Sequence, residues 1–413
     1  MWAELARFGR DPETGGYRRA GWTPALGEAE AWFLDACVAR GLVVETDSVG
    51  NHVAWWRPDP LRRDPGVVTG SHLDAVPDGG AFDGPLGVAS ALAAVDVLRA
   101  RGFEPARPIG VAMFVEEEGS RFGMPCLGSR LATGVLDPAR ALALRDRDGV
   151  TLPEAYERAG FGIASDFGAS DLPTMAQVFV ELHVEQGRWL AEAADPGTAS
   201  VGVATAIWPH GRWRLEFGGR ADHAGTTRME DRADPMVTAA FAALAANKQA
   251  RLAGARATVG RLEIDPGATN AVPERVRAWL DVRAADQETV DAVVAAVGGQ
   301  AADRAARDGT TYAATAESLS PLVEFDAALR DRLARVVGRT TGDGTPAPLL
   351  PTAAGHDAGI LAAAGIPTAM LFVRNPTGVS HSPAEHADLD DCEAGVEALA
   401  AVLEDLAGGS EAA

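Results

Sequence analysis

The sequence predicts an α/β fold whose main domain is discontinuous, split by a smaller inserted α+β domain. Three features of the chain predict it. Over the first ~200 residues, short apolar strand-like runs alternate with longer helical patterns, as a sheet with helical crossovers requires. From residue 208 the order becomes β-α-β-β-α-β, the split-βαβ signature of a compact domain of its own. From residue 319 the first pattern returns. The main domain therefore comprises 1–207 and 319–413, with the insertion at 208–318. A chain of 413 residues suits two or three domains.

A helix lies between Arg19 and Arg40, started by Trp22-Thr23-Pro24 with Thr at the cap and Pro in the first turn. Gly41 to Trp56 holds a strand pair around Gly50-Asn51. Val67 to Gly70 is a short buried strand running to His72, and Gly87 to Arg101 is an Ala/Val/Leu-rich helix. Pro108 to Val115 is a strand that ends on glutamates, and Gln177 to Leu182 one that ends on His183. In the insertion, Arg212 to Phe217, Thr258 to Ile264, Val272 to Ala284 and Thr310 to Glu317 read as strands. Pro235 to Leu252 and Gln287 to Arg307 read as helices. The last stretch holds a helix from Glu324 to Val337, a strand from Pro367 to Val373 and a helix from Asp388 to Leu406. Only the tail from Gly408 reads as disordered.

Composition narrows the functional classes. The formal net charge of −21 opposes non-specific nucleic-acid binding, which depends on basic residues neutralising phosphates. No apolar run approaches the ~20 residues of a bilayer span, so no membrane partner is expected. The start, Met1-Trp2-Ala3-Glu4-Leu5, lacks the basic and apolar segments of a secretory signal. Cys37, Cys126 and Cys392 are odd in number and far apart, which suits a reducing cytoplasm.

Five islands carry the chemistry: Ser71-His72-Leu73-Asp74, Phe82-Asp83-Gly84, Glu116-Glu117-Glu118-Gly119, Glu181 to Gly187 around His183, and Ser380-His381-Ser382-Pro383. Each has a plain structural reading. His72 and Asp74 suit a hydrogen-bonded structural histidine, Asp83 a helix cap, and Glu116 to Glu118 a solvated charge run. Three of the islands, however, end buried strands, where open α/β sheets bind ligands. Imidazoles and carboxylates gathered there form the donor set of a catalytic metal pair with one unligated carboxylate base. Acids crowded at such a point favour a cation between them.

In order along the chain, these islands resemble a known family. The matching motifs are Gly70 to Asp74, Gly79 to Gly84, Glu117 to Phe122, Glu181 to Gly187, Asp222-His223-Ala224-Gly225, Gly355-His356-Asp357-Ala358 and Ser380 to Pro383. The chain looks like the allantoate amidohydrolase, N-carbamoyl-L-amino-acid hydrolase and β-ureidopropionase group of the aminoacylase/carboxypeptidase-like dinuclear metallohydrolases. That resemblance implies a zinc-peptidase-like catalytic domain, a mixed central sheet flanked by helices, and a ferredoxin-like insertion serving as lid and dimerisation domain.

The resemblance also implies roles. Asp83 would bridge two divalent ions, with His72 and His183 completing one site and Glu118 and His381 the other. Asp74 would hydrogen-bond His72, and Glu117 would act as the general base. His223 would reach the site of a partner subunit and steady the oxyanion, making a homodimer the working unit. Gln186, Asn270 and Arg283 would grip a substrate carboxylate; on residue type alone, Asn270 and Arg283 also suit a turn and a surface strand. His356 would support the site or touch substrate. Zinc is the expected metal, with manganese and cobalt as alternatives.

The activity so implied is hydrolysis of a linear amide or ureido C–N bond in a small-molecule carboxylate. Allantoate stands first, an N-carbamoyl-L-amino acid second and an N-formyl or N-formimino amino acid third; a dipeptidase or aminoacylase is the rival. Departures from the family pattern at Arg228, Gly267, Ala354 and Trp208-Pro209 fall around the substrate pocket and touch no expected ligand.

Overall fold

The computed structural model describes residues 1–192, 199–341 and 343–408, so the expected disordered tail lies outside the described residues from 409 onward. The chain divides into two compact units, one of 1–206 with 324–413, the other of 207–323.

The first unit begins with strands β1 (Val43–Thr46), β2 (His52–Trp56), β3 (Gly66–His72), β4 (Ile109–Phe114), β5 (Ala176–Val184) and β6 (Val201–Ile207). The second carries β7 (His210–Gly218), β8 (Asp222–His223), β9 (Arg256–Asp265), β10 (Ala271–Val272), β11 (Arg275–Arg283) and β12 (Thr311–Ser320). β13 (Val323–Glu324), β14 (Leu349–Thr352) and β15 (Thr368–Val373) follow.

The main sheet runs β1-β2-β4-β3-β5-β15-β6-β13, with β14 beside β6. Its centre, β4-β3-β5-β15, is parallel, whereas β1-β2, β2-β4 and β15-β6 pair antiparallel. The mixed α/β sheet of the expected fold class is therefore present. Every residue of β3, β4 and β15 is buried, as strands covered on both faces must be. The helix Pro85–Ala100 lies on this sheet and packs against the helix Leu389–Ala407, which in turn packs against Ala327–Thr341. Each Leu or Val side chain fully buried in this core contributes about 1.5–3 kcal/mol. One consequence of topology governs the site: β3, β4, β5 and β15 all end at the same edge.

The second unit is a four-stranded antiparallel sheet in the order β12-β7-β11-β9. β7 and β11 alternate buried and half-buried residues, so one face carries Trp213, Leu215, Phe217, Val276, Ala278, Leu280 and Val282. The helices Pro235–Ala253 and Gln287–Asp308 cover that face through residues such as Ala239, Val293 and Val297.

Several boundaries differ from the sequence reading. The first long helix spans Pro24–Ala39 with Thr23 as cap, and Trp22 at φ 54 excludes any helical run into it from Arg19. The strand expected over Val272 to Ala284 breaks in two, because Pro273 has no N–H to give a ladder. β6 and the short helices between Leu127 and Met175 had no expectation: β6 shows no alternation of apolar and polar residues, and the helices are too short for a 3.6-residue period to stand out.

Candidate metal centre

His72 is the last residue of β3, His183 the penultimate residue of β5, and Glu116 to Glu118 follow β4 after Val115. His381 lies in the loop after β15. The shared strand edge thus gathers side chains that are far apart in the chain. Asp83 stands among them, in the turn that leads into the helix Pro85–Ala100. Gly84, capping that helix, has φ 81, and a Cβ there would meet the His72 ring at 2.4 Å. Only glycine satisfies both demands.

Asp83 turns one oxygen toward each half of the constellation. Its Oδ1 lies 3.2 Å from His183 Nε2 and 3.7 Å from His72 Nε2. Its Oδ2 lies 3.4 Å from His381 Nε2, which is also 3.4 Å from Glu118 Oε2. Ligand atoms of His72, Asp83 and His183 all fall within 4.8 Å of one another, and so do those of Asp83, Glu118 and His381. A third such group, Glu181, His183 and His356, shares His183. There the Glu181 carboxylate already accepts from Ser71 Oγ at 2.7 Å and from the Ala358 N–H at 3.0 Å, which marks it as a structural tie.

The rings are oriented from behind. His183 Nδ1 lies 2.9 Å from the Val184 carbonyl. His72 Nδ1 lies 3.1 Å from the Asp74 carbonyl oxygen and 3.4 Å from the Asp74 carboxylate. The support expected from the Asp74 carboxylate therefore comes more closely from its backbone. The carboxylate itself, fully buried, accepts the Glu117 N–H at 3.1 Å and the Glu118 N–H at 3.0 Å. Asp74 thus ties the end of β3 to the acids that follow β4.

The three acids have different fates. Glu116 does not join the crowd expected of it. At φ 52 it turns inward, and its carboxylate accepts N–H groups of Gly21, Arg121 and Phe122. Glu118 faces His381. Glu117 places Oε2 3.7 Å from His72 Nε2 and receives Cys126 Sγ on Oε1 at 3.3 Å. It belongs to none of the three ligand groups.

Electrostatics show a site short of positive charge. Burial acts to raise the Asp83 carboxyl, but its bonds to His183 and His381 hold it well below the usual carboxylate range. The bond to Asp83 lifts His381 to about 9. Burial opposes a proton on His72, yet the charges of Glu117 and Asp74 raise it well above the ordinary imidazole value. Burial drives Glu117 well above the ordinary value and Glu118 to about 7, as like charges nearby add to it.

Divalent cations fit this set. His72 Nε2 is buried without a hydrogen-bond partner and faces Asp83 Oδ1, and the nitrogen and carboxylate donors are those that zinc takes. His72 and His183 on one side, Glu118 and His381 on the other, and Asp83 between them would hold two ions.

The remaining expected residues divide between the units. Gln186 is at the centre, but its Nε2 donates to Asp83 Oδ2 at 2.8 Å. His356 is buried with its ring centroid 4.5 Å from that of His183. His223, Asn270 and Arg283 belong to the second unit. His223 is exposed, and its Nδ1 accepts the N–H groups of Gly225 and Thr226, which puts the ring proton on Nε2. Asn270 is exposed just before β10, and Arg283 pairs with Asp281 at 2.7 Å. Sequence reading passed over Cys126 beside Glu117, and over Glu385, whose carboxylate accepts the N–H groups of Phe82 and Asp83. Glu385 lies only four residues beyond His381, and that spacing was the available signal.

Known proteins share this arrangement of chain. Residues 68–405 match the model of peptidase family M20/M25/M40. The N-carbamoyl-L-amino acid amidohydrolase of Geobacillus stearothermophilus is 36% identical over 412 residues, covering 98% of this chain and 97% of that protein. The allantoate amidohydrolase of Bacillus subtilis (strain 168) is 31% identical, covering 98% and 95%. The crystal structure of an amidase of the hydantoinase/carbamoylase family from Burkholderia vietnamiensis superposes with a TM-score of 0.89 at 30% identity, covering 99% and 96%.

If Asp83 serves both halves, Asp83→Asn should weaken uptake of both ions by more than about 100-fold, beyond the loss typical of a supporting group. Equilibrium dialysis with zinc, read by elemental mass spectrometry, checks this. Retention of one tight ion would show that the halves are independent.

Proposed function

Since the chain belongs to peptidase family M20/M25/M40, we propose that it is a metal-dependent amidohydrolase of linear, non-peptide C–N bonds in small carboxylates. The observation that carries this reading is Asp83, with one oxygen toward each set of ligands and Glu117 unligated beside them. The substrates best supported are an N-carbamoyl-L-amino acid, as for the relative at 36% identity, and allantoate, as for the relative at 31%. N-formyl and N-formimino amino acids are the alternative, since they present the same carboxylate beside a smaller acyl group.

Two divalent ions at the centre would polarise the scissile carbonyl and ease ionisation of water, with zinc suited to the donors and manganese or cobalt as alternatives. Glu117 Oε2 takes a proton from the attacking water and delivers it to the departing nitrogen. His223 Nε2–H donates to the developing oxyanion in the site of a second copy of the chain, which makes the working unit a homodimer. Arg283 and Asn270, with Gln186, position the substrate carboxylate, Arg283 through a planar fork suited to bidentate pairing. The second unit is accordingly a lid and dimerisation domain. Three free buried cysteines favour a reducing compartment, the cytoplasm. Among the described residues no helix is long and apolar enough to cross a membrane.

A panel of N-carbamoyl, N-formyl and N-formimino amino acids, allantoate and dipeptides, assayed on zinc- and manganese-loaded protein, tests the reading. Ammonia release from the ureido compounds is expected, and amino-acid release from dipeptides alone would favour the peptidase rival. Glu117→Gln should retain its metal while kcat falls by about 10²–10⁴-fold. Unaltered turnover would remove Glu117 from the chemistry. Mixing inactive His223→Ala and Glu117→Gln chains should restore activity in mixed dimers, and the absence of recovery would mean that each chain completes its own site.

A further inference from the structure

Asp83 can serve two sets of ligands only if its turn is held still, and the neighbours that hold it are not themselves ligands. Glu385 is 6% exposed and lies in the loop that also carries His381. Its Oε2 accepts the Phe82 N–H at 2.7 Å and the Asp83 N–H at 3.0 Å. Its Oε1 lies 3.2 Å from Ser380 Oγ, whose single proton it shares with Asp83 Oδ2 at 3.1 Å. The carboxylate therefore grips the backbone of Asp83 from one side and, through Ser380, the neighbour of His381 from the other. An acceptor for two adjacent N–H groups fixes the plane of the intervening peptide, and here it fixes the direction in which the Asp83 side chain leaves the turn. A second residue is shaped by the same contact. A Cβ at Gly80 would stand 2.2 Å from Glu385 Oε2 and 2.5 Å from its Cβ.

We propose that Glu385 is a positioning residue for the metal pair: by holding the Phe82-Asp83 backbone against the His381 loop, it sets the spacing between the two halves of the centre. Gly80 is the space that this clamp occupies. The inference rests on the metal reading of the site. Supporting groups of this kind typically change metal affinity by about 10- to 100-fold when removed.

Three variants and three measurements test it: Glu385→Ala, Glu385→Gln and Gly80→Ala, each followed by zinc affinity, by hydrogen exchange of the 82–83 amides in metal-free protein, and by steady-state kinetics. Glu385→Ala should bind zinc about 10- to 100-fold more weakly, exchange those amides faster, and lose kcat with little change in KM. Gly80→Ala, which pushes the carboxylate aside without deleting it, should do the same; it keeps the test open if Glu385→Ala fails to fold. Glu385→Gln retains an acceptor oxygen for both N–H groups and should stay close to the unsubstituted protein. Unsubstituted-level affinity and exchange in both Glu385→Ala and Gly80→Ala would overturn the proposal. So would a Glu385→Gln as damaged as Glu385→Ala, because charge rather than hydrogen bonding would then be the cause. If the unsubstituted protein takes up no divalent ion, the metal reading falls and this inference with it. If it binds ions and the variants bind them equally well, the inference alone falls.

Discussion

Everything at this centre depends on a single carboxylate being reached from two directions. Asp83 is nearly buried, and its two oxygens face different histidines. A carboxylate in that position is costly unless cations or hydrogen-bond donors surround it. The structure supplies donors from every side: Gln186 and Ser380 on Oδ2, and the imidazoles across both oxygens. The parallel strands make this convergence possible, since four of them deliver their C-terminal ends to one edge and the turn after β3 places Asp83 between them. The glycine that follows it gives the His72 ring its space.

The overall charge of the chain says little about this chemistry. A net −21 spread over 413 residues is a surface property, screened over about 10 Å at 0.1 M salt. The centre is governed by local burial, which raises the Glu117 and Glu118 carboxyls, whereas the bonds to His183 and His381 hold Asp83 low. The two halves are also unequal in their surroundings. His72 and His183 are sealed from solvent, whereas the His381 side chain is 51% exposed.

Much of this was legible in the sequence because its signals were of one kind. Apolar runs that stop abruptly at His72, at Glu116 and at His183 announce both a buried strand and the end of it, so fold and ligand position came together. The βαββαβ order of the second unit was legible for a similar reason, with long alternating strands and long helices. What escaped was set by backbone geometry rather than residue type. Nothing in a run of three glutamates says that Glu116 will enter the left-handed region and turn away, or that Asp74 will use its carboxylate on the next strand's backbone. Glu385 escaped because its partners are N–H groups, which every residue but proline has. The roles of His223, Asn270 and Arg283 belong to resemblance, since their own surroundings show an exposed residue of a two-residue strand, a turn and an ion pair with Asp281.

The link between Asp83 and Glu385 spans 302 positions of sequence. Closing so long a loop carries an entropy cost that only the finished core can offset. During synthesis the N-terminal strands can pair well before the last helix emerges, yet the turn that carries Asp83 must wait for the final stretch of chain to reach it. A chain that stops short of residue 385 would lack both the Glu385 grip on the turn of Asp83 and the helix Leu389–Ala407 that packs against the helix Pro85–Ala100.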